Sequence, residues 1–239
     1  VKERADKVLY DKGLVSSRSQ AKSLIENGDV SVNNITIKKA GDLIDPDSKI
    51  EIKAQLFVGR GAFKLVKALD AFMVEPHGKI CLDIGASTGG FTEVLLNHGA
   101  AKVYAIDVGH GQLATKLRSD ARVINLEGTN IKDLVTLPEV ADLAVMDLSF
   151  ISITKVLNAV ANLLRPEGVL VVLVKPQFEA GRERLPKDGV IKDAKIQNKV
   201  LSEVIAFAKE NGWIHHATVD SPIEGKSGNK EFLCLFSKY

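Results

Sequence analysis

The sequence predicts an α/β fold: a doubly wound parallel sheet of seven strands over residues 61–239. A small amino-terminal α+β module over 1–53 and a linker over 54–60 precede it. Three observations carry that prediction. From residue 79 on, short apolar runs alternate with amphipathic stretches of helical period. The first run, Ile80-Cys81-Leu82, ends in Asp83, a turn rich in glycine (Gly85, Gly89, Gly90) and the amphipathic stretch 91–98. That is a buried strand, a tight loop and a helix, the opening βα unit of a nucleotide-cofactor fold. The last two strand-like runs, 216–219 and 231–236, have no helix between them, which predicts an antiparallel hairpin at one sheet edge.

The amino-terminal module reads in order as two helices and small strands. Residues 3–14 carry Ala5, Val8 and Leu9 on one helical face and stop at Gly13. Ser16 or Ser17 caps a second helix over 18–27, with Ala21, Leu24 and Ile25 as its stripe and Gly28 as its stop. Val30–Val32 and 35–37 alternate about Asn33-Asn34 as a hairpin, Asp45-Pro46-Asp47 turns, and Ile50–Ile52 is one more strand. Beyond the linker, a helix runs to about Phe72, and strands follow at 79–83, 102–108, 122–125, 142–150 and 168–175. Residues 194–211 form a long helix before the closing hairpin.

Composition narrows the function classes. Hydrophobic content of 45% and charged content of 26% are ordinary for a globular chain. The longest strongly apolar run, Val169 to Val174, is far too short to span a bilayer, and the charged start VKERADK has no apolar signal region behind it. A cytoplasmic protein without membrane partners is expected. Net charge is only +2, and that excess lies in residues 1–60, with 11 Lys/Arg against 9 Asp/Glu. Any RNA contact therefore depends on a local patch. Cys81 and Cys234 sit in apolar runs as core residues, and the five histidines show no ligand spacing, so no metal site is expected.

The loop 83–90 reads D-x-G-x-x-x-G-G. That departs from the dinucleotide pattern G-x-G-x-x-G and fits the turn that wraps the amino-acid part of S-adenosylmethionine. A βα turn of another parallel-sheet protein remains open on the loop alone. Asp107 ends the next strand, 24 residues beyond Asp83, where a carboxylate can accept from both ribose hydroxyls of a nucleoside.

Asp147 and Lys175 each follow an apolar run directly, so both emerge at the carboxyl edge of the sheet beside that loop. Glu231 starts an antiparallel strand and falls on the same edge, and Lys64 can reach across from the preceding helix. Taken singly, Lys64 reads equally as a surface lysine and Glu231 as a charge guarding an edge strand. Together they form a catalytic constellation. A ribose hydroxyl is a poor nucleophile, and an amine whose neutral form is favoured by burial and a neighbouring ammonium can take its proton. Lys175 is assigned as that base, Asp147 and Glu231 as its partners, and Lys64 as a positioning group. Phe150 and Phe178 can stack on a nucleobase or pack; packing is expected for Phe150, and Phe178 stays open.

Two resemblances sharpen this reading. The order SSRSQAKSLIENGDVSVNN resembles the RNA-binding module named after ribosomal small-subunit protein four. It implies RNA contacts from Arg18 and Lys22 on one helix face; Lys38 and Lys39 follow in the hairpin region, and Arg60 is a further candidate at the linker's end. GRGAFKL, DIGASTGGFTE, AIDVGHGQL, DLSFIS, VKPQFE and GKSGNKEFL resemble the TlyA, or haemolysin-A-like, family of FtsJ-related ribosomal-RNA 2′-O-ribose methyltransferases. The resemblance runs from about residue 3 to 236. It implies a Rossmann-like seven-stranded methyltransferase sheet, S-adenosylmethionine as cofactor, and cytidine riboses of ribosomal RNA as substrate. The family's Lys-Asp-Lys-Glu tetrad falls on Lys64, Asp147, Lys175 and Glu231. Its cofactor positions fall on Asp83, Gly85, Ser87, Gly89, Gly90, Asp107, Asn130 and Ile131. The competing classes are a non-catalytic ribosome-assembly factor and, with less support, a haemolysin.

Overall fold

The computed structural model describes residues 2–15, 17–52, 57–225 and 227–239. Val1, Ser16, Lys53 at the end of the predicted module, residues 54–56 of the predicted linker and Lys226 lie outside them. The chain divides into two units, 1–60 and 61–239.

The first unit contains β1 (Glu3–Arg4), α1 (Ala5–Asp11), α2 (Arg18–Glu26), β2 (Val30–Val32), β3 (Ile35–Thr36), β4 (Leu43–Ile44) and β5 (Ile50–Ile52). Ser17 caps α2, its Oγ accepting from the Gln20 N–H at 3.1 Å. Asn33 and Asn34 take φ of +49° and +66°, the left-handed pair that a two-residue hairpin turn needs and that asparagine tolerates. β2 lies at the centre of the sheet β3-β2-β5. Val8, Leu9, Leu24, Ile25 and Val30 form a core of the unit's own.

One expectation changes here. Residues 3–4 are not helical; they pair with Leu43–Ile44, a two-residue strand too short to leave a period in the sequence. The chain at 40–42 also takes the first free donors of α1, Ala5 N–H to Asp42 O and Asp6 N–H to Ala40 O.

The second unit contains α3 (Ala62–Phe72), β6 (Ile80–Ile84), α4 (Gly90–Asn97), β7 (Lys102–Asp107), α5 (Thr115–Arg118), β8 (Val123–Glu127) and β9 (Ala141–Met146). A 3₁₀ turn (Ile153–Lys155), α6 (Leu157–Leu163), β10 (Leu164–Val174), α7 (Pro176–Glu179), α8 (Ala194–Glu210), β11 (Trp213–Asp220) and β12 (Phe232–Lys238) complete it. Seven strands lie in the order β11-β12-β10-β9-β6-β7-β8. The five from β8 to β10 run parallel, and β12 is antiparallel to both β10 and β11. Leu82, Leu143, Ala144, Val145 and Val172 in the middle strands are fully buried, which is why those strands read as unbroken apolar runs.

The predicted strand over 142–150 ends at Met146. Asp147 donates its N–H to Ile84 O, across to β6, and Phe150 at φ +64° leaves the extended region. The strand predicted over 168–175 starts earlier, at Leu164, through a register shift between Leu164 and Val169. Ser17→Ala is expected to destabilise the first unit by about 1 kcal/mol. Amide exchange within α2 should rise in that variant while exchange in β6–β10 stays unchanged.

Candidate active site

The four charged side chains named by the sequence meet at the carboxyl edge of the sheet. Lys64 Nζ lies 2.5 Å from Glu231 Oε2 and 3.8 Å from Asp147 Oδ2. Lys175 Nζ lies 2.6 Å from Asp147 Oδ1 and donates to Ser149 Oγ at 2.9 Å. Lys64, Lys175 and Glu231 are buried, and the Asp147 side chain retains 21% exposure. Two positive and two negative groups thus alternate along a chain, Lys175–Asp147–Lys64–Glu231, the arrangement in which buried charges are tolerated. Glycine is required nearby, since a Cβ at Gly225 would lie 2.8 Å from Glu231 Oε1.

Asp147 also lines a cavity of about 500 Å³, within the range of nucleoside-sized ligand sites. Of the residues named as cofactor positions, Gly85, Ser87, Asp107, Asn130 and Ile131 line it. Gly85 has φ +87°, and a Cβ there would sit 2.5 Å from the Asp147 carbonyl oxygen, so only glycine lets the loop pass under the cavity. Asp107 accepts from the Ser87 N–H at 2.8 Å on one oxygen and from the Gly109 N–H at 2.7 Å on the other. Each carboxylate oxygen keeps a lone pair for a vicinal diol.

Asp83, Gly89 and Gly90 are not cavity-lining. Asp83 is fully buried, with Oδ2 accepting from Thr92 Oγ1 at 2.6 Å. Burial pushes its pKa up to about 7 against the Thr92 hydrogen bonds, and the charges of Asp147 and Asp107 add to the rise. Gly89, at φ +96°, is the N-cap of α4, and Gly90 opens that helix. These residues shape the loop from behind.

Sequence reasoning missed Gln112, Val108, Leu148 and Ser149 in the wall. Gln112 stood within the motif AIDVGHGQL, with no charge or spacing to mark it. Ser87 Oγ donates to its Oε1 at 3.2 Å, and its N–H donates to Glu127 at 2.5 Å. Glu127 is held down to about 2 by hydrogen bonds from Asn125 and the Leu113 and Gln112 N–H groups. Phe150, expected to pack, is 89% exposed at the cavity rim, its ring centroid 5.1 Å from that of Phe178.

Cys81 and Cys234 are free and buried, their thiols pushed by burial to about 12 and about 11. Among the described residues no group of three His, Cys, Asp or Glu is placed to hold a metal ion, and no helix is long and apolar enough to cross a membrane. In the first unit, Arg18 is tied to Asp6 at 2.7 Å, and Asp6 is also bound by Arg4 at 3.0 Å. Lys22 lies 3.7 Å from Glu26, and Lys38, Lys39 and Arg60 are exposed.

The sheet order and the cavity at its carboxyl edge define a Rossmann-like methyltransferase fold. A solved S-adenosylmethionine-dependent methyltransferase from Mesorhizobium loti shares it at 17% identity and a TM-score of 0.54, over 72% of this chain and 96% of that one. Residues 57–238 match the FtsJ-like methyltransferase family, and residues 3–50 match the S4 domain. The 16S/23S rRNA (cytidine-2′-O)-methyltransferase TlyA of Mycobacterium tuberculosis is 43% identical over 96% of this chain and 88% of its own. Hemolysin A of Brachyspira hyodysenteriae is 41% identical over 98% and 99%. A solved, provisionally named hemolysin from Streptococcus thermophilus aligns with a TM-score of 0.76 at 42% identity, covering 99% of this chain and 88% of that one. The chain belongs to the FtsJ-like methyltransferase family and, within it, to the group formed by TlyA and hemolysin A.

The Asp83 carboxyl gives a pH test. Its folded pKa of about 7 lies above the ordinary value of 3.8, so between those values the folded state holds a proton that the unfolded state has lost. Stability from this group is therefore complete below about pH 4, declines as pH rises towards 7, and is level above. Asp83→Asn, neutral at every pH, should remove that dependence, so the stability of wild type relative to the variant, followed by urea unfolding, should fall as pH rises across this window.

Proposed function

We propose that the protein transfers a methyl group from S-adenosylmethionine to a ribose 2′-hydroxyl, that of a cytidine in ribosomal RNA, with Lys175 as general base. The observation that carries this reading is the buried Lys64–Glu231 and Lys175–Asp147 network opening through Asp147 onto the cavity. A protein that only bound RNA would have no use for four mutually paired charges there. The ribose of a cytidine is inferred from what the Mycobacterium tuberculosis relative acts on.

The wall residues fit the cofactor. Asp107 offers acceptors for a ribose diol, Val108 and Ile131 apolar surface for an adenine, and Gly85 and Ser87 backbone for the amino-acid end. When bound, S-adenosylmethionine supplies an electrophilic methyl group on a sulfonium. The protein's own contribution is proton removal and placement. Lys175 withdraws the hydroxyl proton as the oxygen becomes nucleophilic, Asp147 orients the Lys175 amine and offsets the charge formed, and Glu231 and Lys64 hold Asp147 in register. In-line transfer makes the alignment of the two reactants a large share of the acceleration.

On the RNA side, Phe150 supplies a stacking face for a nucleobase at the cavity rim, and Phe178 backs it. Domain roles follow: residues 1–53 bind RNA through the exposed Lys38 and Lys39, with Lys22, Arg18 and Arg60 supporting, 54–60 link, and 61–239 catalyse. Arg18 fills that role only as a bridge, because Asp6 already takes its charge.

The test is methyl incorporation from labelled cofactor into ribosomal subunits, with ribose sites mapped by mass spectrometry. Lys175→Ala should lower incorporation roughly 10²–10⁴-fold while affinity for S-adenosylhomocysteine is retained. Equal, background-level incorporation by wild type and variant would overturn the proposal. Phe150→Ala should raise the KM for RNA roughly tenfold, the value of one base stack, with cofactor affinity unchanged.

A further inference from the structure

The segment after β9 and the segment after β10 are stitched together at three points. Lys175 holds Asp147 and Ser149 at 2.6 and 2.9 Å. Phe178 lies against Phe150. Glu179, the last residue of α7, accepts from Ser152 Oγ at 2.5 Å on Oε2 and from the Ile153 N–H at 3.0 Å on Oε1. Ser152 Oγ in turn accepts from the Thr154 N–H at 3.2 Å, so Glu179 and Ser152 together cap the 3₁₀ turn. Glu179 is not a cavity-lining residue. Burial keeps its carboxyl above the usual range, against the hydrogen bonds from Ser152 and Ile153 and the charge of Lys155.

Between these pins sits the one strained residue of the loop. Phe150 has φ +64°, a conformation that a bulky aromatic adopts only where its surroundings over-determine it. Its ring is exposed, so burial does not supply the constraint. The chain is held one residue before it, through the Ser149 hydroxyl by Lys175, and beyond it through the Ser152 hydroxyl and the Ile153 N–H by Glu179. Without the second pin the loop loses its polar hold on the far side of Phe150, leaving the buried Ile153 side chain as the anchor there, and φ of Phe150 can return to the negative region, carrying the ring off the rim.

We infer that Glu179 is a positioning residue: through Ser152 and Ile153 it keeps Phe150 at the cavity rim as a platform for the target nucleobase. This assignment rests on the RNA reading above for its consequence and on the loop geometry for its cause, and the two are tested separately.

Glu179→Ala and Glu179→Gln in the full chain are compared with wild type by amide hydrogen exchange over residues 148–154 and by methylation kinetics on ribosomal subunits. In Glu179→Ala, exchange over 148–154 should rise while that of β9 and β10 is unchanged, and S-adenosylhomocysteine should bind within about twofold of wild type. The KM for RNA should rise roughly tenfold, with a smaller change in kcat. Glu179→Gln should fall between, because its amide oxygen still accepts from Ile153 and the Ser152 hydroxyl can turn to accept from the amide. Adding Glu179→Ala or Glu179→Gln to Phe150→Ala should cost nothing further, since both act on one platform. Unchanged exchange overturns the assignment, as do losses that multiply in the double variant or a fall in kcat alone. Should Glu179→Ala fail to fold, Glu179→Gln carries each comparison. Absence of methylation by wild type would remove the functional reading, and exchange over 148–154 would then decide the clamp by itself.

Discussion

Asp147 is shared by two lysines, one oxygen 2.6 Å from Lys175 and the other 3.8 Å from Lys64, which then reaches Glu231 at 2.5 Å. An isolated ammonium or carboxylate taken out of water is costly, and removing one partner of a buried pair leaves the other uncompensated. The four side chains are therefore interdependent. Deleting Asp147 would strip both lysines of a carboxylate at once, whereas deleting Glu231 would strip Lys64 alone. Asp147 is also the member that lines the cavity, so the residue that binds the network together is the one that connects it to the cavity.

The topology makes that sharing possible. Parallel β9 and β10 release Asp147 and Lys175 at the same edge, immediately after Met146 and Val174. A further parallel strand would deliver its start to the opposite edge. β12 runs the other way, with Phe232 paired to Val174, so the residue before it, Glu231, arrives opposite Lys175. Lys64 completes the set from α3, ahead of the sheet. The antiparallel strand thus has a chemical consequence beyond closing the fold: it brings a carboxylate to an edge that otherwise collects residues from strand ends.

Lys64 read singly as a surface lysine, and Glu231 joined the others through the expected antiparallel strand; the meeting of Asp147 and Lys175 was legible in the sequence because charge directly following a buried run has one place to go. The doubly wound sheet and its closing hairpin were legible from periodicity for the same reason. Asp83 looked equivalent to Asp107 by that logic, yet Asp83 turns inward to Thr92 on α4 while Asp107 binds the loop amides. That distinction depends on which way a side chain leaves the strand end, and a local pattern does not carry it. Arg18 looked like an RNA contact, and Asp6, twelve residues earlier, takes its guanidinium through packing of α1 on α2. Phe150 was expected to pack; its exposure goes with a left-handed backbone angle, in a loop bound by residues that follow β10, and a local pattern does not carry that either.

The surroundings of the two lysines also bear on which of them takes the proton in the proposed reaction. Lys64 faces two carboxylates, those of Glu231 and Asp147, while Lys175 faces one carboxylate and the neutral hydroxyl of Ser149. Loss of a proton from Lys64 forfeits two ion pairs, and from Lys175 only one. After that loss the Ser149 hydroxyl can reverse and donate to the amine, because a serine oxygen both donates and accepts. A carboxylate in that position could not. The serine after Asp147-Leu148 therefore gives Lys175 a neighbour that can both donate and accept, which Lys64, clasped between carboxylates, does not have.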